Sequence, residues 1–516
     1  MKPIEIILCS ALAAMIAAYP ACAADNSRVD PEAWDALIRK YEKNAASSTA
    51  PPPVSDDEAV RAGSWDALAR KYDNKFASQK EAAAPSPEEL ASWWKTLGDE
   101  TLEELIMDAL SNNRDLQAAR GKVMEARAAL GISRSAVLPW LDSEDTWVNN
   151  KSSDNSANQG ARAEITKLAI DASWEIDIFG ARRDSIDAAS AALEAEHAAM
   201  RSAWVTLSSE VALNYLSLRT LQARLVIANR NLALQEDTLS MLASKHDAGL
   251  ADSLALNQAR YTVEGTKASI PPIKAGVENI MNALAILAGR VPGSIGGKLS
   301  EFRPLPKPSF DMLIGIPADS LRQRPDVRAA ERALAAQVLT RKSAEKDLLP
   351  KFYLMGSIGL ETLSGGSIFS GDSFGFSFGP RITLPIFHGG AIRKNIQVQT
   401  AREEQLLAAY EGTVLNAVAE VRNALAENTQ EIERNKSLIA GIEAAQAALD
   451  IANDRYRNGL TDFSNVISAQ AALLSLEDQL TVSEGQMTSN VVRIFKALGG
   501  GWAPMAEEAL GELHRQ

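Results

Sequence analysis

The sequence predicts a mainly α-helical protein with a membrane β-barrel, built from two internal repeats of helix, β-hairpin, very long helix and helix. Three observations carry that reading. Residues 164–178 (EITKLAIDASWEIDI) alternate Leu168, Ile170, Ala172, Trp174, Ile176 and Ile178 against Asp171, Ser173, Glu175 and Asp177. This is the period-two pattern of a strand with one apolar and one polar face. After Gly180 the period turns helical and stays so to Lys245 with no proline or glycine, and a 4,3-spaced seam runs from Leu207 to Leu242 through Val211, Leu218, Leu225, Leu232 and Gln235. Some 66 residues at about 1.5 Å each span roughly 100 Å, several times the width of an ordinary domain. The same order then returns 210 residues later, with an alternating stretch over 373–387, a helical seam from about Ala391 to Tyr456, and Gly459-Leu460 answering Gly249-Leu250.

Residues 1–25 read as a secretory signal, with Lys2, an apolar run and the small-x-small site Ala21-Cys22-Ala23. The rival reading is a lipoprotein signal with Cys22 acylated as the first mature residue. Cys9 and Cys22 are the two cysteines, so the mature chain is expected to hold no disulfide and no thiol metal site. Residues 26–91 are polar and rich in Pro, Ala and Ser, and they contain a tandem duplication, WDALIRKYEKN (34–44) and WDALARKYDNK (65–75). That composition reads as a spacer, or as a docking peptide for a partner.

Residues 92–288 form the first repeat. A helical pattern begins at Asp99 or Thr101 and ends at Leu138-Pro139. Trp140 to Asn149 is a weaker strand with poor alternation, 150–160 a polar loop, and the strong strand and long helix follow. A further helix over 252–288 contains Pro271-Pro272, which must kink or interrupt it. Residues 289–314 are a Gly- and Pro-rich linker between the repeats. The second repeat, 315–500, has a helix after Pro325, a strand alternating Phe352, Leu354, Gly356, Ile358 and Leu360, a loop at 364–372, the second strand and long helix, and a last helix over 462–498. Residues 501–516 are a C-terminal tail.

A formal charge of −13 excludes a nucleic-acid partner, which needs a basic face. The acidic excess fits either a water-filled, cation-favouring lumen or simple solubility. No apolar run after the signal reaches the roughly 18 residues of a spanning helix. The four histidines (His197, His246, His388, His514) are scattered, and no P-loop, dinucleotide fingerprint or nucleophile elbow occurs. The expectation is no enzyme, no cofactor and no metal.

Strands with one greasy face are not stable alone in water, and their edges invite aggregation. Either helices cover the sheet, or the strands close into a barrel whose apolar wall meets lipid. Helices far longer than any sheet they could cover favour the barrel. Four strands are too few, since bacterial barrels start at about eight, so chains must pool their strands, and three would supply twelve. Trp174, Phe374, Phe376 and Phe378 are then the lipid-facing candidates. Asp171, Glu175 and Asp177 are the lumen-facing candidates.

The motifs SWEIDIFGARRDSIDAA, GIPADSLRQRPDVRAAE, PIFHGGAIR, RYRNGLTDFSNVISAQ and FKALGGGW resemble the TolC-like outer-membrane efflux channels. Within these they are most similar to the NodT-type subunits of resistance-nodulation-division tripartite pumps, over residues 90–505. The resemblance implies a homotrimer in the outer membrane of a Gram-negative cell, with a twelve-stranded barrel and a helical tunnel through the periplasm. It implies a periplasmic adaptor (membrane fusion) protein and an inner-membrane transporter as partners, and a passive exit duct for drugs or other small toxic solutes. Many members are lipoproteins, which bears on Cys22. The alternatives are a duct for a protein-secreting pump and a periplasmic coiled-coil scaffold with no membrane role. In the family, acids at the helix turns ring the periplasmic mouth. Asp462, with Asp252 in the other repeat, is therefore the gate candidate, although an Asp opening a helix is first of all an N-cap. Gly249, Leu250, Gly459 and Leu460 mark the turns expected to face the adaptor, and the two glycines read as C-caps needing positive φ.

Overall fold

The computed structural model describes residues 92–155, 157, 160–249, 251–306, 323–363 and 366–501. The signal with Cys22, the 26–91 segment, residues 307–314 of the linker with 315–322 of the second repeat, Leu250 and all but the first residue of the tail lie outside the described residues.

A 3-10 turn, Trp93–Leu97, leads into α1 (Glu100–Asn112) and α2 (Arg114–Ser135). The single expected helix is thus two. Asp99 caps the first, its carboxylate accepting from the Thr101 and Leu102 amides at 2.9 and 3.2 Å. Asn113 breaks the run, with extended dihedrals and a side-chain oxygen that accepts from Leu116 N at 3.0 Å. A short polar side chain that offers the backbone a partner ends one helix and starts the next.

Strands β1 (Trp140–Lys151) and β2 (Arg162–Ile176) form one hairpin, and β3 (Lys351–Leu363) and β4 (Phe374–Thr383) the other. Between the hairpins run α3 (Ala181–Asp247), α4 (Ser253–Leu287), the short α5 (Gly296–Ser300) and α6 (Pro325–Lys346). After β4 come α7 (Ala391–Arg457) and α8 (Phe463–Ala497). Helices α3 and α7 are each 67 residues long, α4 and α8 each 35, and the bounds of both pairs recur 210 positions apart. Helix α4 runs uninterrupted through Pro271 and Pro272. Both prolines and the residues one turn before them, Lys267 and Ala268, are exposed, so water can satisfy the freed carbonyls.

The hairpins are joined by β2–β3 pairing into one antiparallel sheet of order β1-β2-β3-β4. Strand β1, weak by its pattern, pairs along its whole length. Its register explains the poor alternation: Ser143 and Asp145 stand opposite Ile170 and Leu168, on the face that is otherwise apolar.

The core lies where α1, α2, α3 and α8 meet. Trp93 stacks on Phe495, with centroids 5.6 Å apart, among Leu102, Ile106, Leu216, Leu218 and Val492. Helix α3 buries 20 residues and α7 only five, although both carry a 4,3-spaced seam, so α7 is largely uncovered within one chain. Helices α3 and α8 cross closely at Gly485. A Cβ there would stand 2.1 Å from Thr220 Oγ1 and 3.1 Å from its Cγ2, so the threonine side chain would have to give way. Gly485→Ala is expected to cost about 1–3 kcal/mol. Thermal melting should show the loss, and adding Thr220→Ala should recover most of it.

Candidate functional site

The sheet separates its residues by chemistry as the alternation requires. Register places Ile170, Ile358 and Phe376 in one row and Leu168, Leu360 and Phe374 in the next. On that face Phe376 and Phe378 are each 69% exposed, Ile382 64% and Phe374 55%. Trp174 shares the face but is half-buried, and its indole N–H donates to Val137 O at 2.8 Å, pinning β2 to the end of α2. Among the described residues, helices leave Ile170, Ile358 and these phenylalanines exposed. Phenylalanine exposed to this degree over several rows is unusual for a surface that meets water.

The opposite face carries Asp142, Asp171, Ser357 and Ser377 in one row. Lys167 and Glu144 pair there at 2.7 Å. Glu175 lies on this face and accepts from Arg182 Nη2 at 2.7 Å. Asp177 departs from expectation. Strand β2 ends at Ile176, and the Asp177 carboxylate instead accepts from the Arg183 amide at 2.9 Å in the first turn of α3. An acid placed near a helix N-terminus meets unpaired N–H groups there, and that pull ends the strand early.

At the far end of the long helices, Leu242, Leu256, Phe463 and Val466 form one small core that unites the two helical turns. The Tyr456 and Phe463 rings meet at 5.1 Å, and Lys245 Nζ lies 5.2 Å over the Tyr456 ring. Gly249 and Gly459 take φ of +73° and +69°. The second turn closes with Gly459 N–H bonded to Tyr456 O and Leu460 N–H to Arg455 O, the paired bonds of a Schellman cap. Asp252 and Asp462 both occupy N-cap positions with extended dihedrals, yet neither carboxylate accepts a hydrogen bond from its helix. Both are exposed. Capping by position holds, and capping by side chain does not.

The structure also organises residues that spacing alone did not single out. Arg324, just before α6, donates to both Asp326 oxygens at 3.0 and 2.7 Å, to Glu420 Oε2 at 2.7 Å and to Ala497 O at 2.6 Å. One guanidinium thus ties α6, α7 and the end of α8, and the RPDV run that opens α6 was its only signal. Tyr215 donates to Asp99 Oδ2 at 2.5 Å, while Arg219 donates to Gln222 Oε1 and Glu301 O. Burial, with the Asp99 bond, pushes the Tyr215 phenol up to about 12. Among the described residues, no helix is long and apolar enough to cross a membrane, and no cluster of three or more metal-ligating side chains occurs.

Comparison with known proteins agrees with this arrangement. The family model described as outer membrane efflux protein matches twice, at residues 105–290 and 316–500. The toluene efflux pump outer membrane protein TtgF of Pseudomonas putida is 31% identical over 422 residues, covering 81% of this chain and 87% of its own. Nodulation protein T of Rhizobium leguminosarum bv. trifolii is 28% identical, covering 82% of this chain and 90% of its own. The solved outer-membrane channel OprN superposes with a TM-score of 0.78 at 32% identity, over 88% of this chain and 100% of that one. The chain belongs to the outer membrane efflux protein family, and it is an outer-membrane exit duct of tripartite efflux rather than an enzyme.

Proposed function

We propose that the duct is a homotrimer whose three sheets close into a twelve-stranded barrel, with the long helices continuing it as a tunnel through the periplasm. The family implies an adaptor and an inner-membrane pump component. We take the latter to be of the resistance-nodulation-division type, delivering drugs or other small toxic solutes. One observation carries the reading: a sheet whose outer strands, β1 and β4, have no further strand neighbour among the described residues and whose aromatic face is exposed. Closing the barrel with sister copies satisfies both edges, and lipid satisfies the face. The uncovered α7 fits the same assembly, because a seam buried on one side only has room for a neighbouring chain. Phe374, Phe376 and Phe378 then meet lipid, while Asp171 and Glu175 face the lumen.

In this reading the turns at Gly249-Leu250 and Gly459-Leu460 meet the adaptor, and Asp462, with Asp252, lines the mouth. Supporting it, the Asp462 carboxylate is exposed and makes no bond to its own helix. The purified protein is expected to open ion-conducting pores in planar bilayers. Asp462→Ala should raise single-channel conductance by removing an acid ring that binds cations at the constriction. A protein that gives no conductance would be the periplasmic scaffold. Conductance that is normal and unmoved by the substitution would leave Asp462 as a helix-start residue only.

A further inference from the structure

We infer that Lys151 and Arg162 hold a phosphate of an outer-leaflet lipid against the rim of the barrel, an inference that rests on the lipid-facing reading of the aromatic face. Lys151 is the last residue of β1 and Arg162 the first of β2, and they stand directly opposite each other. Both are exposed. The helices join the sheet at its other end, since α2 leads into β1, β2 into α3, α6 into β3 and β4 into α7. The hairpin tip is therefore the end farthest from the periplasmic tunnel, at the outer leaflet.

Period two puts both cations on the face of Phe374 and Phe376. Along that face the sheet is layered. Leu168, Leu360 and Phe374 form the last apolar row, with Asp145 on the edge strand as its exception. Trp147, Thr166 and Thr362 follow, then Asn149 and Glu164, and the two cations come last. Of the residues the four strands turn to that face, no others are basic. Arg162 lies about 13 Å along β2 from Thr166, or about 10 Å along the barrel axis once the strands tilt by about 40°. The polar layer of a bilayer is roughly 5–8 Å thick on each side, and long basic side chains bend back toward it. The sheet thus repeats the order of a lipid's own groups, from chain through interface to headgroup phosphate.

Charge points the same way. Two like charges directly opposite destabilise a sheet, and an anion between them removes the repulsion. No ion pair or side-chain hydrogen bond holds the Arg162 guanidinium among the described residues. Lys151 meets Asp154 only at 4.0 Å, with the two side chains 55% and 80% exposed, a contact too long and too wet to fix it. Glu164, the acid of the next row, is occupied, its Oε1 accepting from the Trp147 indole N–H at 2.8 Å. A planar guanidinium beside a flexible ammonium suits a phosphate, which takes paired bonds from the first and a point charge from the second. A soluble anion is the weaker occupant, because the pair crowns an apolar wall instead of lining a basic cleft.

The test titrates the purified, assembled duct in detergent with diphosphoryl lipid A and with the same lipid after dephosphorylation, and native mass spectrometry counts the lipid bound. The phosphorylated form should bind about thirtyfold more tightly, the combined attraction of two cations for an anionic surface. Lys151→Gln together with Arg162→Gln should erase that difference and leave conductance unchanged. Arg381→Gln, which removes a cation from the opposite face in the row of Glu175 and Tyr353, should keep it. Inorganic phosphate should not displace the lipid. Equal binding of the two forms by the wild-type protein, or full displacement by inorganic phosphate, would overturn the inference, and both are read without any variant. Planar-bilayer recording separates the two readings: a duct that conducts but shows no preference loses this site alone, whereas one that does not conduct loses the barrel as well.

Discussion

Arg324→Leu is expected to destabilise the protein by about 2–4 kcal/mol and to shift the melting of its helical signal downward. Removing one member of a buried ion pair typically costs about 3–5 kcal/mol, because the remaining charge and carbonyl stay behind unpaired. The figure is set lower here because Asp326 and Glu420 are 34% and 53% exposed, so water shields part of what is left. The Ala497 carbonyl that Arg324 covers has no such relief. Arg324→Lys should recover the charge but not the two-pronged geometry, and should fall between wild type and leucine. The same site gives a pH signature. Burial alone would raise the Asp326 carboxyl, but the Arg324 bonds and charge outweigh it and hold the group below its ordinary value of 3.8. A depressed folded-state value contributes stability that is complete above the ordinary value and lost as pH falls through the folded one. Acid unfolding of wild type should therefore carry this loss, and Asp326→Asn should flatten it. Equal acid profiles for the two proteins would show that the pair contributes nothing.

Phe376→Arg is expected to abolish assembly in the outer membrane. Phe376, the third residue of β4, shares a row with Ile170 and Ile358, which lie near the middle of β2 and β3, where the proposed barrel meets the lipid midplane. Arginine there costs about 2–4 kcal/mol per chain, and a trimer multiplies that by its three copies. Ser377→Arg, one position along, turns to the polar face and should assemble normally. The readout is the fraction of protein that needs detergent for extraction and runs as an oligomer. Two variants that behave alike would remove the case for a lipid-facing wall, because only opposite faces of one strand separate them.

Much of this was legible in the chain. The 4,3 seam, unbroken by proline or glycine between Gly180 and Lys245, placed α3, and its repeat 210 residues later placed α7, each to within two residues at each end. The turn glycines are where positive φ was expected, since no other residue adopts it cheaply. Boundaries governed by side chains reaching the backbone were not legible. Asn113 divides a run that reads as one helix, and Asp177 leaves its strand to bond an amide of α3. Whether such a side chain turns to its neighbours depends on which amides lie unpaired nearby, and pattern does not record that. Pro271-Pro272 shows the converse, a breaker absorbed because its side of α4 faces water.

By itself the sequence determined the two-faced strands, the two long helices and their equal lengths, because each follows from the local periodicity of apolar residues. Tertiary structure alone decided that β2 pairs with β3, that Arg324 joins three helices, and that the two helical turns share one small core. Those contacts join residues far apart in the chain, and only the packed chain fixes which distant groups end within hydrogen-bond reach.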